Sequence, residues 1–357
     1  MQMRHKCFAI SVLVTIVALL AIGGGILIFG SRTAPATPEP TPGASSEPSD
    51  ADAEPVPTEA SAPVVRFEGR YVDVHAHIGP KNMPLEEIVR NMDLEGIDTM
   101  VVMMTPTAIA QGMPTSDSGI PNAAEQYPGR FISLYGGEAI TLLDAVVARG
   151  SFTKAEQKQY VALLEEAMAS DKYSGFGEIA LRHVLPKPGE GADVTVPGDH
   201  PWMLIMSDIA AKYDVPIDVH MDIEAGANGI AGLETLLDHN KKTTIVWSHT
   251  AWSRTDYESF PIVELRRLLE THPNLYSSIK IQTETAFMDP NKKIKPEWLA
   301  LFEDYSGRFL VGSDIKPGLA EDEFRFVERH RKFLEQLPPE IVKAFERDNA
   351  IEVFKIG

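Results

Sequence analysis

The chain has 357 residues, with 33 Lys and Arg against 51 Asp and Glu, a net charge of −18 and a single cysteine. An acidic surface disfavours nucleic acid and anionic lipid as partners. One cysteine, placed at position 7, leaves the rest of the chain without a disulfide framework or a thiolate metal site.

Residues 1–6 form a short leader carrying Arg4 and Lys6. Residues 7–30, CFAISVLVTIVALLAIGGGILIFG, contain no charge. At about 1.5 Å rise per residue, roughly 20 such residues cross a bilayer core. Basic residues before the run and acidic ones after it predict a single-pass signal-anchor, cytoplasmic at its N-terminus, with the bulk of the chain outside. A cleaved signal peptide, which would release a secreted domain, is the competing expectation. Its apolar core is usually only about 7–15 residues long, and the nearby Ala-x-Ala site, Ala34-Pro35-Ala36, has an awkward central proline. Residues 31–63 are rich in Pro, Ala, Ser, Thr and Glu and lack aromatic residues. Such a segment buries too little apolar surface to offset its ordering entropy and reads as an extended tether.

Residues 64–357 form one domain-sized stretch in which β-rich runs alternate with amphipathic helical patterns. The predicted strands are 71–77, 98–105, 130–137, 174–181, 216–222, 243–250, 275–283 and 308–315. Most are continuous Val, Ile and Phe runs, as in strands buried on both faces. Helices are predicted at 85–96, 202–213, 232–240, 261–272, 321–337 and 338–354. Eight strands alternating with helices predict an α/β fold of the (β/α)8 TIM-barrel type. The alternative, an open doubly wound sheet, lacks the glycine-rich phosphate loop expected after its first strand.

In such a barrel the functional residues lie at the C-terminal ends of strands. Those ends carry, in order, His75 and His77, Glu178, His220, His249 and Asp314. His75 and His77 are two apart, so on a strand they face the same side. Nitrogen and carboxylate donors without cysteine suit Zn²⁺, with Mn²⁺, Fe²⁺ or Co²⁺ as alternatives. A lone polar residue is more often simply satisfied in the core, and it is the six together that point to a metal site. The remaining histidines fit blander roles: His239 and His272 close helices, His330 lies in a charged helix, His200 in a loop and His5 in the leader. His183 closely follows Glu178 and is placed to reach substrate, as are Arg182, Trp252, Lys280 and Lys316 near other strand ends.

These features together resemble the amidohydrolase superfamily, in particular the amidohydrolase-related group (amidohydrolase family 2), over roughly residues 70–357. DVHAHIGP is similar to the group's first-strand metal motif, YPGRFISL to its Pro-x-Arg-Phe entry to strand three, and THPNLYSSI to its lead into strand seven. RFLVGSDIKP resembles the Gly-Ser-Asp ending of strand eight, and RDNAIEVFKI the closing Asn-Ala helix. The resemblance implies metal ligation by His75, His77, His220 and Asp314, with His249 as a second-metal ligand or catalytic group. GFGEIAL is similar to the Gly-Glu-Ile motif of TatD-like hydrolases, which implies a bridging Glu178 and two ions. Many group members carry one ion, and Glu178 would then orient a ligand from behind.

The function so implied is hydrolysis of an ester, lactone, amide or related bond of a small molecule by metal-activated water, with Asp314 as base and then acid and His249 aiding the oxyanion. A metal-dependent non-oxidative decarboxylase is the alternative, and a membrane-tethered binding protein with a degenerate site is the non-enzymatic one. Specificity is expected in the loops 105–128, 183–201 and 284–296, which carry no motif that names a substrate. No motif signals an oligomeric state.

Overall fold

All eight predicted runs form strands in the computed structural model, which describes residues 71–78, 83–106, 120–184, 194–223, 227–250, 261–280, 284–316 and 324–357. They are β1 (Tyr71–His77), β2 (Ile97–Met103), β3 (Phe131–Ser133), β4 (Phe176–Arg182), β5 (Ile217–Met221), β6 (Ile245–Ser248), β7 (Leu275–Ile279) and β8 (Phe309–Val311). The described residues belong to the compact unit Val65–Gly357. The leader, the apolar run 7–30 and the tether 31–63 lie outside them. Among the described residues no helix is long and apolar enough to cross a membrane.

The strands pair in parallel as β1-β2-β3 and β4-β5-β6-β7-β8. Two seams join the sheets. Tyr135, just past β3, bridges to Phe176 of β4, and Ala76 of β1 bridges to Ile315, just past β8. At the second seam His77 N donates to Ile315 O (2.9 Å) and Asp314 N to His75 O (2.7 Å). The seams close an eight-stranded barrel and rule out the open sheet, which would leave two edges unpaired.

Alternation along the strands separates core from site. In β5, Ile217, Val219 and Met221 join the main apolar cluster, while Asp218 and His220 face the other side. The surrounding helices are specified locally. Lys154–Ala169 starts with a Thr153/Glu156 capping box and buries Tyr160, Leu164, Ala167 and Met168 at helical spacing. Leu85–Glu95 ends on Gly96 at φ 66°, a conformation glycine adopts without steric cost.

Several expectations need correction: β2 ends at Met103 rather than 105, and β3 keeps only Phe131–Ser133 of the predicted 130–137. Glu178 is the third residue of β4, not near its end, so its carboxylate enters the site from deeper in the barrel. β6 and β8 end at Ser248 and Val311, short of the predicted 250 and 315; beyond them the chain turns at His249 (φ 56°) and Asp314 (φ 52°), and isolated bonds such as Thr250 N to Ser278 O and Asp314 N to His75 O continue the pairing. The helix predicted at 338–354 is interrupted: Pro339–Lys343 and Asn349–Phe354 flank a π-helical turn at Ala344–Asp348. Asn349 Nδ2 there caps the carbonyls of Ser306 (2.8 Å) and Phe309 (2.7 Å), tying the C-terminal segment to β8.

Candidate metal centre

His75 and His77 project from β1 with their Nε2 atoms 3.3 Å apart. Their other nitrogens are engaged behind them. His77 Nδ1 lies 3.2 Å from the Met103 carbonyl, which only accepts, so Nδ1 carries the proton. His75 Nδ1 lies 3.0 Å from Ser248 Oγ, whose own hydrogen goes to Asp218 Oδ2 (2.6 Å). Both rings therefore present Nε2 to the barrel mouth as lone-pair donors.

Glu178 reaches the same space from β4. Its Oε2 is 3.6 Å from His75 Nε2 and 3.5 Å from His77 Nε2. Its Oε1 is 2.7 Å from His220 Nδ1 and 3.7 Å from His249 Nε2. Asp314 completes the set, with Oδ1 3.0 Å from His77 Nε2 and Oδ2 3.7 Å from His249 Nε2. Three overlapping donor groups, His75/His249/Asp314, His75/His77/Glu178 and Glu178/His220/His249, each have their ligand atoms within 4.8 Å of one another. Convergent imidazole and carboxylate donors, almost wholly buried, fit a divalent cation.

The family model described as Amidohydrolase (Amidohydro_2) matches residues 72–356. The chain belongs to this amidohydrolase family. Among solved structures it is similar to a candidate 2-pyrone-4,6-dicarboxylic acid hydrolase from Pseudomonas putida, at 15% identity and a TM-score of 0.54, over 80% of this chain and 98% of that one. It is also similar to 2,6-dihydroxybenzoate decarboxylase from Rhizobium, at 14% identity and a TM-score of 0.50, over 80% and 98% of the two chains. A third is 5-carboxyvanillate decarboxylase from Novosphingobium aromaticivorans, complexed with manganese and 4-hydroxy-3-methoxy-5-nitrobenzoic acid, at 13% identity and a TM-score of 0.50, over 80% and 96%. At these identities the likeness is one of fold. No curated protein matches the sequence.

The electrostatics of this amidohydrolase follow from crowding ionisable groups in a buried site. Burial pushes His249 down to about 3, so its ring is neutral near pH 7. Burial also lowers His77. At His220 burial acts downward but Glu178 and Asp222 outweigh it, lifting the ring to about 9. His75 is likewise raised against burial, by Asp218 and Glu178. Burial works to raise Glu178 and Asp314, yet His75 and His220 hold Glu178 well below the carboxylate range. The Lys280 ammonium does the same for Asp314.

The other predicted residues divide. Lys280, just past β7 and buried, donates from Nζ to Asp314 Oδ2. Lys316 lies near enough to act electrostatically on Lys280. The His183 ring sits 4.6 Å from that of His220, tilted by 35°. Arg182 ends β4 with Nε buried, and its carbonyl accepts from Asp222 N (2.9 Å). Trp252 and parts of the loops 105–128 and 183–201 lie outside the described residues, whereas the loop 284–296 is described and opens with the helical turn Glu284–Phe287. Of the bland histidines, His330 is wholly buried and meets Tyr71 Oη at 3.2 Å, and His200 N-caps the helix Pro201–Tyr213.

Sequence reasoning passed over Asp73, Asp218, Asp222, Ser248 and Ser313, which support the cluster from behind. Asp222 Oδ1 lies 3.0 Å from His220 Nε2, leaving Nδ1 toward Glu178. The available signal was the repeated Asp-Val-His of β1 and β5.

Proposed function

We propose that this amidohydrolase is a metal-dependent hydrolase that cleaves an ester, lactone, amide or related bond of a small molecule. The observation that carries the reading is the pairing of Asp314 with the buried Lys280 ammonium beside the donor cluster, which holds its carboxyl well below the usual carboxylate range. An ionised aspartate serves as a base toward water, whereas a decarboxylase needs a protonated group to deliver a proton to carbon.

His75, His77, Glu178, His220, His249 and Asp314 would hold the cation. When bound, a divalent ion acidifies water and polarises a carbonyl. Asp314 takes a proton from the attacking water and returns it to the leaving group, acting as base and then as acid. His249, neutral, assists at the developing oxyanion. Glu178 turns Oε2 toward His75 and His77 and Oε1 toward His220 and His249, which supports a centre of two ions that this carboxylate would help to hold. We propose Zn²⁺ for an imidazole and carboxylate set, with Mn²⁺ as the alternative supported by the manganese in the 5-carboxyvanillate decarboxylase structure.

The decarboxylase reading draws support from two of the three similar structures. The experiment is metal analysis of the purified chain followed by a substrate panel. Chelator-sensitive ester, lactone or amide cleavage supports the hydrolase. CO₂ release from carboxylated aromatics without such cleavage moves the assignment to lyase, and a chain that binds no divalent ion overturns both. The apolar run 7–30 with Arg4 and Lys6 before it supports a further proposal, that the domain is tethered outside the membrane.

A further inference from the structure

The tripeptide Asp-Val-His occurs twice in the barrel, as Asp73-Val74-His75 in β1 and Asp218-Val219-His220 in β5. With a side-chain period of two, each aspartate lies on the same face as its histidine, one layer beneath it. Neither belongs to a donor group of the cluster. Both are fully buried at 0% exposure, where a carboxylate requires hydrogen-bond donors.

Each aspartate takes a donor from a serine on the adjoining strand or just beyond it. Ser313 gives its hydroxyl and its N–H (2.9 Å) to Asp73, and Ser248 gives its hydroxyl to Asp218 (2.6 Å). The two serines hold equivalent places, each immediately preceding a donor of the cluster, Asp314 or His249. Those two donors share a further property: both are non-glycine residues in the left-handed region, at φ 52° and 56°. Such a conformation is uncommon for a residue with a side chain and persists only where the surroundings hold it.

The two arrangements also meet at one residue. Asp73 Oδ1 accepts from His75 N (3.2 Å), while the His75 ring places Nδ1 3.0 Å from Ser248 Oγ and 3.5 Å from Asp218 Oδ1. Space for this is made by glycine: a Cβ on Gly177 would stand 2.8 Å from Asp218 Cβ.

We propose that Asp73 and Asp218 are positioning residues. Paired with Ser313 and Ser248, they form two equivalent clamps under the metal centre. Each clamp fixes the backbone that delivers a ligand in a left-handed turn, and the Asp218 clamp also orients the His75 ring. The inference rests on the metal-centre reading given above.

The test uses the full chain and Co²⁺ as probe. Affinity is read by competition with a chromophoric chelator, and ligand geometry by the visible absorption of the bound ion. Asp218→Asn, Ser248→Ala and Ser313→Ala are each expected to weaken Co²⁺ binding by roughly 10–100-fold. They should also alter the visible band, with apo melting within a few degrees of wild type. Variants that melt lower yet bind Co²⁺ with wild-type affinity and spectrum would show a merely structural role and overturn the clamps. Wild type that binds no Co²⁺, or binds it equally after His75→Ala, would instead overturn the metal centre and the clamps with it. Three separate variants keep the test decisive if one fails to fold.

Discussion

His77 Nε2 and Asp314 Oδ1 lie 3.0 Å apart, although one comes from the first strand of the barrel and the other from the turn after the last. Their meeting depends on the closing seam, where His77 N bonds to Ile315 O and Asp314 N to His75 O. The donor cluster and barrel closure are thus one structural event.

A cation that binds only the closed barrel stabilises it by mass action. At a free ion concentration about 100 times Kd the gain is about 2.7 kcal/mol. Thermal unfolding monitored with and without Zn²⁺ is expected to show a higher midpoint in its presence, reversed by a chelator.

Glu178 faces both His75/His77 and His220/His249, so its loss should disturb the whole centre. Glu178→Ala is expected to reduce bound metal per chain and to lower hydrolysis by about 100-fold or more. Metal analysis of the variant separates the proposals. A bridging role predicts that stoichiometry falls, and an unchanged ion count would count against it.

Lys280 holds Asp314 ionised against the upward pull of burial. Removing the ammonium therefore raises the Asp314 pKa. A base works only when deprotonated, so activity disappears as pH falls through that pKa. Lys280→Met is expected to move the acidic limb of the kcat/KM profile to higher pH by about one unit or more. A limb left in place would show that another group sets it.

Gly312 passes close to β1: a Cβ there would stand 2.8 Å from His75 Cβ and 2.9 Å from Ser278 Oγ. Gly312→Ala is expected to destabilise the fold by about 1–3 kcal/mol through overpacking. It should weaken metal binding as well, because the displaced atom belongs to a ligand. Denaturant unfolding and metal titration read the two effects separately.

Asp144, in the helix Glu138–Arg149, is pushed up to about 7 by burial alone. Between about pH 4 and 7 the folded chain holds this proton more tightly than the unfolded chain. The stabilisation present below pH 4 is lost as pH rises through 7. Asp144→Asn is expected to raise the melting temperature by a few degrees at pH 8, with the difference fading toward pH 4. Melting curves across that range check it.

Hydrophobic runs bounded by turns made the eight strands and their alternation with helices legible, because strand burial on both faces writes itself as composition. His75 and His77 were legible as a pair because a period of two leaves no freedom about which side they share. Their partners Glu178, His220, His249 and Asp314 were legible only as residues at strand ends, in a barrel still to be demonstrated. What the linear order could not contain was distance. The left-handed turns at His249 and Asp314 and the mid-strand depth of Glu178 arise from packing between strands remote in sequence. So do the serine donors of Asp73 and Asp218. Local propensity describes a residue's own backbone, and a metal centre is built from the spaces between backbones. The sequence determined the barrel and named six candidate ligands; closure of the barrel decided which atoms meet, which protons they hold and which buried carboxylates stand behind them.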